Sequence, residues 1–279
     1  MSATQTMNLS SVELTQDQFS AVSGLVYRVC GINLHEGKFG LVRARLASRL
    51  REVGLADFDT YLDRVAEDPS GRELARLVDA LTTNKTGFFR EPRHFDFLHQ
   101  RLVPELHVPG RPLRIWSAGC SSGEEPYTLA MVLHDELGDD ADVRILATDI
   151  SASMIARARG AVYPEESLEP VPAMARHSHF RCTSAVRPRT YEVRAHIRSM
   201  VRFAQLNLMD AWPMAGPFDL ICCRNVMIYF DQPTQQRLVD RFWDMLVPGG
   251  YFFGGHSESF AAVDHGFQYV QPAVYRKPA

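Results

Sequence analysis

Residues 113–125 read LRIWSAGCSSGEE, and this stretch decides the fold. A short apolar run, Leu113-Arg-Ile-Trp116, gives way to a turn carrying Gly119, Ser121 and Gly123. Two glutamates follow, and a helical pattern runs on from about Pro126 to Leu137. Strand, Gly-rich turn and helix in that order let a ligand approach the backbone closely, as in dinucleotide-binding folds. The middle position of a GxGxG loop is here Ser121, so the turn alone reads equally well as an ordinary tight connection.

Towards the C-terminus the apolar run recurs as Val143-Arg-Ile-Leu-Ala147, Val201-Arg-Phe-Ala204 and Asp219-Leu-Ile-Cys222, with a second helical stretch at about Ser153–Arg159. That alternation predicts a parallel sheet flanked by helices. Leu246-Val-Pro-Gly-Gly250 leading into Tyr251-Phe-Phe253 predicts a strand entered through a tight turn. Residues 160–200 interrupt the rhythm. Pro164, Pro170 and Pro172 break the chain, and His179–Cys182 with Thr190–Val193 read as a strand pair in a small antiparallel β insertion.

Towards the N-terminus the period is helical. Thr15-Gln-Asp-Gln18 is a capping-box pattern, followed by Val22, Leu25, Val26 and Val29. Further helices are expected over about Glu36–Val53, over Phe58–Val65, and around Leu74, Leu77, Val78 and Leu81. Pro92 suits the first turn of another, with Phe95, Leu98 and Leu102. The expected organisation is an N-terminal helical domain over 1–90 and a Rossmann-like α/β domain over 91–279.

Of the 279 residues, 46% are hydrophobic and 23% charged, the balance of a globular domain. A net charge of −3 argues against a general nucleic-acid binder. No apolar run approaches the roughly 20 residues of a membrane helix, and the opening MSATQTMNLSS has no signal-peptide character. The five cysteines, Cys30, Cys120, Cys182, Cys222 and Cys223, are odd in number without CxxC spacing, so a reducing cytoplasm is expected. The ten histidines form no HxxxH or HExxH pattern, and no metal is expected.

Asp149 closes the second apolar run, where a carboxylate can accept both hydroxyls of a ribose. Aspartate also caps helices, but Ser151 supplies a competing cap. Glu124 and Glu125 stand where a pyrophosphate would meet a helix N-terminus. They would repel phosphate and can pair with a cationic ligand, which favours S-adenosylmethionine over a nicotinamide dinucleotide. Upstream, Asn84–Arg93 reads NKTGFFREPR, and its Asn, Thr and Arg beside two phenylalanines suit a ligand with a flat base, hydroxyls and a carboxylate. Arg224-Asn225 follows the strand 219–222 and faces the crevice where such sheets bind ligands.

NKTGFFREPR together with the run Phe218–Asp231, FDLICCRNVMIYFD, resembles the CheR-type chemotaxis receptor methyltransferases, and the resemblance spans nearly the whole chain. It implies methyl transfer from S-adenosylmethionine to glutamate side chains of chemoreceptors, leaving methyl esters and S-adenosylhomocysteine. It also implies a cofactor loop of Asn84, Thr86 and Arg90, a binding carboxylate at Glu125, a ribose ligand at Asp149, and Asn207-Leu208 near the adenine. Arg224 and Asn225 complete the cofactor set. Arg90 and Tyr229 become the candidate catalytic residues. The helix with Lys38, Arg43, Arg45, Arg49 and Arg51 corresponds to one implicated in recognition. The expected partner is therefore the acidic cytoplasmic helical domain of a chemoreceptor, met by Arg45 and Arg51.

Two positions depart from the family pattern. Thr183-Ser-Ala185 stands where some relatives carry a Gly-containing turn that helps bind a receptor's C-terminal pentapeptide, which leaves that mode of recruitment open. Lys85 stands in the cofactor loop where an apolar residue is expected. His256-Ser-Glu258 matches a family segment, without a role that the residues themselves supply. The competing readings are a methyltransferase of this fold acting on another protein or a small molecule, and a non-catalytic S-adenosylmethionine-binding docking module.

Overall fold

Strands whose successive residues are all apolar must be covered on both faces, and the sheet shows that directly. Ile115, Leu220, Tyr251 and Phe253 pack into one buried cluster, while their neighbours Trp116, Ile221 and Phe252 pack into another. The computed structural model describes residues 13–279 except 109, 185, 259, 261 and 262. The opening segment and Ala185, read above, lie outside the described residues. No helix among those described is long and apolar enough to cross a membrane.

The chain divides into two compact units, Met1–Thr83 and Asn84–Ala279. The first holds helices α1 (Gln16–Cys30), α2 (Phe39–Val53), α3 (Phe58–Glu67) and α4 (Arg72–Leu81), with a 3-10 turn at Glu36–Lys38 before α2. The capping box forms as read, Thr15 accepting from the Gln18 N–H and Gln18 reaching back to the Thr15 N–H. Val22, Val26, Val42, Leu46, Leu50, Leu77 and Leu81 are buried, the positions that helical spacing marks as the inner faces.

The second unit opens with α5 (Arg93–Phe97), a π turn and α6 (Val103–Leu106), then alternates through β1 (Leu113–Ala118), α7 (Glu124–Leu137), β2 (Val143–Asp149) and α8 (Ala152–Gly160). The insertion follows: β3 (Val162–Pro164), α9 (Ala173–His179), β4 (Phe180–Ser184), β5 (Thr190–Val193) and α10 (Ala195–Ser199). The chain then completes the main sheet with β6 (Val201–Gln205), β7 (Phe218–Cys222), α11 (Gln232–Met245), β8 (Leu246–Phe253), β9 (Gln268–Gln271) and β10 (Val274–Arg276).

The seven-stranded sheet has the order β6-β2-β1-β7-β8-β10-β9. Pairs from β6 to β8 are parallel, and β10 is antiparallel to β8 and β9. From β1 the order grows one way through β2 and β6 and the other way through β7 and β8. The carboxyl ends of β1, β2 and β7 therefore frame a topological switch point. This is the expected Rossmann-like α/β architecture, with a helical N-terminal unit and an antiparallel insertion.

Two local expectations change. The insertion is a three-stranded sheet, β3-β5-β4, and not a strand pair. Its extra strand ends on Pro164, and proline is tolerated there because β3 is an edge strand. The strand expected at Tyr251 begins at Leu246 and runs through the Pro-Gly segment, with a register shift opposite Phe218–Leu220 absorbing the extra residues of Val247–Gly250.

Candidate active site

The Gly-rich turn is built as a cradle. Gly119 has φ +87, and a Cβ there would lie 2.3 Å from Val226 Cγ2. Gly123 caps α7 at φ +96, where a Cβ would meet Ala158 Cβ at 2.9 Å, so close helix packing demands glycine. Ser121 adopts φ +49 without being glycine. A left-handed backbone at such a residue costs about 1–2 kcal/mol, and two bonds offset the strain. The Ser121 N–H donates to Asp149 Oδ2 at 2.8 Å, and its hydroxyl donates to the Asn84 carbonyl at 3.0 Å. The Gly-rich turn, the second strand end and the start of NKTGFFREPR are thus tied together at one residue.

Asp149 is buried, and its other oxygen accepts from the Ser151 N–H at 2.9 Å. Ser151 is the N-cap of α8, bonded to Met154 N–H at 3.0 Å, so Asp149 is not the helix cap. Its carboxylate sits at the end of β2, opposite Gln205 of β6.

NKTGFFREPR is held by its aromatic pair. Phe88 is buried edge-on against Tyr163 and Phe180, at 4.9 and 5.4 Å. Phe89 takes φ +52 and donates its N–H to Thr128 Oγ1. Arg90 donates to the Lys85 carbonyl at 2.7 Å. Lys85 is itself exposed, which removes the objection to a cation in this loop. Asn84 and Thr86 are half-buried in the same segment.

Glu91 is the residue the sequence reading missed. Its backbone turns at φ +59, and Oε2 lies 3.1 Å from the buried Arg224 guanidinium while Oε1 accepts from Asn225 Nδ2 at 3.3 Å. Arg224 also donates to Glu125 Oε2 at 2.9 Å and to the Arg90 carbonyl. The other Glu125 oxygen accepts from Ser117 at 2.7 Å. Burial pushes the Glu91 carboxyl up, but the charge and hydrogen bond of Arg224 outweigh it and hold the group below the usual glutamate range. Two carboxylates thus face one guanidinium, leaving a net negative charge. The Arg224 Nε–H is buried with no acceptor. No local pattern reveals Glu91, because its partners lie 133 and 134 residues away.

A second missed carboxylate organises the other wall. Glu258 is buried and accepts backbone N–H bonds from Asn225 (3.0 Å), Met227 (2.7 Å), Ile228 (3.3 Å) and Gly255. Burial raises its carboxyl, and the four donors work against that rise. Glu258 thereby fixes Asn225 at φ +59 and the 3-10 turn Met227–Tyr229 that carries half-buried Tyr229. The segment 256–258, left without a role by its sequence, is the clamp for this turn.

The remaining candidates fall outside these two networks. Asn207 closes an Asx turn after β6, accepting from Met209 N–H at 3.1 Å, and Leu208 is buried in the apolar cluster that also holds Trp116 and Phe242. Arg45 and Arg51 belong to the helical unit. Arg45 donates to the carbonyls of Leu81 and Thr82, both at 2.7 Å, and Arg49 chelates Glu73. Lys38, Arg43 and Arg51 are exposed. Burial pushes the thiols of Cys120, Cys222 and Cys223 well up, so they are poor nucleophiles.

The crevice fits S-adenosylmethionine. Its surplus carboxylate suits an ammonium or sulfonium, the unsatisfied Nε–H of Arg224 suits a ligand acceptor, and Asp149 at a strand end suits a ribose.

Residues 84–275 match the family model described as CheR methyltransferase, SAM binding domain, and residues 17–82 match CheR methyltransferase, all-alpha domain. The chain is 43% identical over 263 residues to chemotaxis protein methyltransferase 2 of Pseudomonas aeruginosa, covering 94% of this chain and 93% of that one. It is 38% identical over 276 residues to the chemotaxis protein methyltransferase of Borreliella burgdorferi, covering 96% of each. The corresponding Escherichia coli protein is 38% identical over 264 residues, covering 94% of this chain and 91% of that one.

Proposed function

The chain belongs to the CheR methyltransferase family, and from that premise we propose that it methylates glutamate side chains on the cytoplasmic helices of a chemoreceptor, using S-adenosylmethionine. The observation that carries the reading is the Glu91–Arg224–Glu125 group at the strand ends, two half-buried carboxylates on one buried guanidinium, with its surplus negative charge. Glu125 and Arg224 would hold the methionine end of the cofactor, Asp149 its ribose, and Asn207-Leu208 its base. Asn84, Thr86 and Asn225 line the same set. When bound, S-adenosylmethionine supplies a methyl group on a positive sulfonium.

The acceptor glutamate has an ordinary pKa near 4.3 and is already an anion at neutral pH. No general base is needed. The work left to the protein is to align a weak nucleophile and exclude water, and alignment alone is worth roughly 7–11 kcal/mol. Arg90 and Tyr229 would take that orienting role. Arg90 spends one guanidinium nitrogen on the Lys85 carbonyl, an anchor that tempers its hold on the nucleophile. The helical unit would recognise the receptor through Lys38, Arg43 and Arg51, with Arg45 bracing the helix that presents them. Recruitment through a receptor C-terminal pentapeptide at the insertion is a separate proposal, tested by deleting that peptide from the receptor.

The direct assay uses isotopically labelled S-adenosylmethionine and a receptor cytoplasmic fragment. Label that mild base releases as methanol is the expected result. Base-stable label, or none on the receptor, would contradict glutamate ester formation.

A further inference from the structure

Three histidines distant in sequence converge in the sheet unit: His134 late in α7, His179 at the end of α9 and His196 in α10. One ligating nitrogen from each lies within 4.8 Å of the other two. His179 Nδ1 is 3.1 Å from His196 Nε2, close to the roughly 3.4 Å that separates ligand nitrogens around tetrahedral zinc.

Two of the three far nitrogens are already committed. His179 Nε2 is 2.8 Å from Asp135 Oδ1, and His134 Nε2 is 2.8 Å from Asp139 Oδ1. A carboxylate on the distal nitrogen fixes the tautomer and turns the proximal lone pair towards a metal. The proximal nitrogen of His134, Nδ1, is buried without a hydrogen-bond partner, its nearest anion being Asp135 Oδ1 at 3.9 Å. His179 is 1% exposed and anchors the group, while His134, Asp139 and His196 line an open cavity of about 220 Å³ that gives an ion access.

We propose that His134, His179 and His196 form a transition-metal site of the zinc class, oriented by Asp135 and Asp139. Three imidazoles suit zinc, copper or nickel rather than magnesium or calcium. An ion there would pin α9 and α10, which flank the insertion strands β4 and β5, to α7 of the main domain. Short motifs such as HExxH could not reveal it, because each ligand comes from a different helix. The other clustered triad, Glu91, His94 and His256, belongs to the crevice, where Glu91 is engaged by Arg224 and His94 stacks on Phe253.

The test is calorimetric titration of tag-free, chelator-stripped protein with zinc chloride, for wild type, His196→Gln, the double variant H134Q/H196Q, and His256→Gln. Wild type and His256→Gln should each bind one equivalent with Kd below about 1 µM. His196→Gln should bind more than about 100-fold more weakly, and the double variant should lose the site. A far-UV circular dichroism spectrum and a cooperative thermal transition for every variant report that the fold is intact. Absence of stoichiometric zinc binding by wild type would overturn the proposal. So would an affinity unchanged in H134Q/H196Q, or one lost only in His256→Gln.

Discussion

Each unit sets an arginine against carboxylates in a shielded ion pair, and the two arrangements differ in a way that separates a brace from a site. In the helical unit Arg49 binds Glu73 at 2.7 Å and Glu52 at 2.7 Å, while Arg76 and Arg64 stand 3.6 and 4.0 Å from the same Glu73. The cations outnumber the buried anion, and the α2 backbone that carries Arg49 is ordinary helix. In the sheet unit the balance is reversed, with Glu91 and Glu125 on one Arg224. The backbone around Arg224 is strained as well. Of the six non-glycine residues with positive φ among those described, Phe89, Glu91, Ser121 and Asn225 all border the crevice. A buried ion pair therefore says little about function, whereas unbalanced charge on strained backbone at strand ends says a great deal.

The comparison breaks most easily at the arginines themselves. Arg224→Leu takes the shared cation from two half-buried carboxylates, Glu91 and Glu125, and should cost about 3 kcal/mol of stability. Arg49→Leu should cost clearly less, because Glu73 keeps Arg64 and Arg76. Denaturant unfolding of both variants measures this, and equal losses would erase the distinction.

A smaller effect comes from pH. His94 lies against the Arg224 group, and burial first, then the Arg224 charge, lowers its pKa from 6.5 to about 3. A depressed histidine stabilises the fold fully above pH 6.5 and loses that contribution as pH falls, because the unfolded chain binds the proton first. Between pH 7 and pH 5 the loss should be about 2 kcal/mol, at roughly 1.4 kcal/mol per unit below 6.5. His94→Gln should flatten the stability–pH curve by that amount. An unchanged slope would remove His94 from the account.

The smallest effects separate Arg45 from Arg51. Arg45→Ala removes the donor to two carbonyls ending α4 and should cost about 1 kcal/mol of stability. Arg51→Ala should change stability by less than about 0.5 kcal/mol. It should instead raise KM for the receptor a few-fold at low salt, an effect that fades as ionic strength rises. Identical behaviour of the two variants in both assays would contradict the division of roles.

The sequence made legible what local pattern controls. The sheet alternation, the helical N-terminus, Asp149 and Arg224 all follow from apolar period and from position at strand ends. Glu91 and Glu258 were hidden although both lie inside quoted segments, because their partners are brought to them by chain crossing. The third insertion strand was hidden by Pro164, which reads as a breaker until β3 is known to be an edge. Arg45 and Arg49 were misleading in another way: spacing puts them on one side of a helix but does not say that their guanidinium groups turn inward.

The claim that this crevice holds the cofactor is tested most directly by calorimetric titration of wild type and Asp149→Ala with S-adenosylmethionine and S-adenosylhomocysteine. Micromolar binding of both ligands by wild type, weakened about 100-fold in a folded Asp149→Ala variant, is the predicted result. No binding by folded wild type, or an affinity indifferent to Asp149, would contradict it.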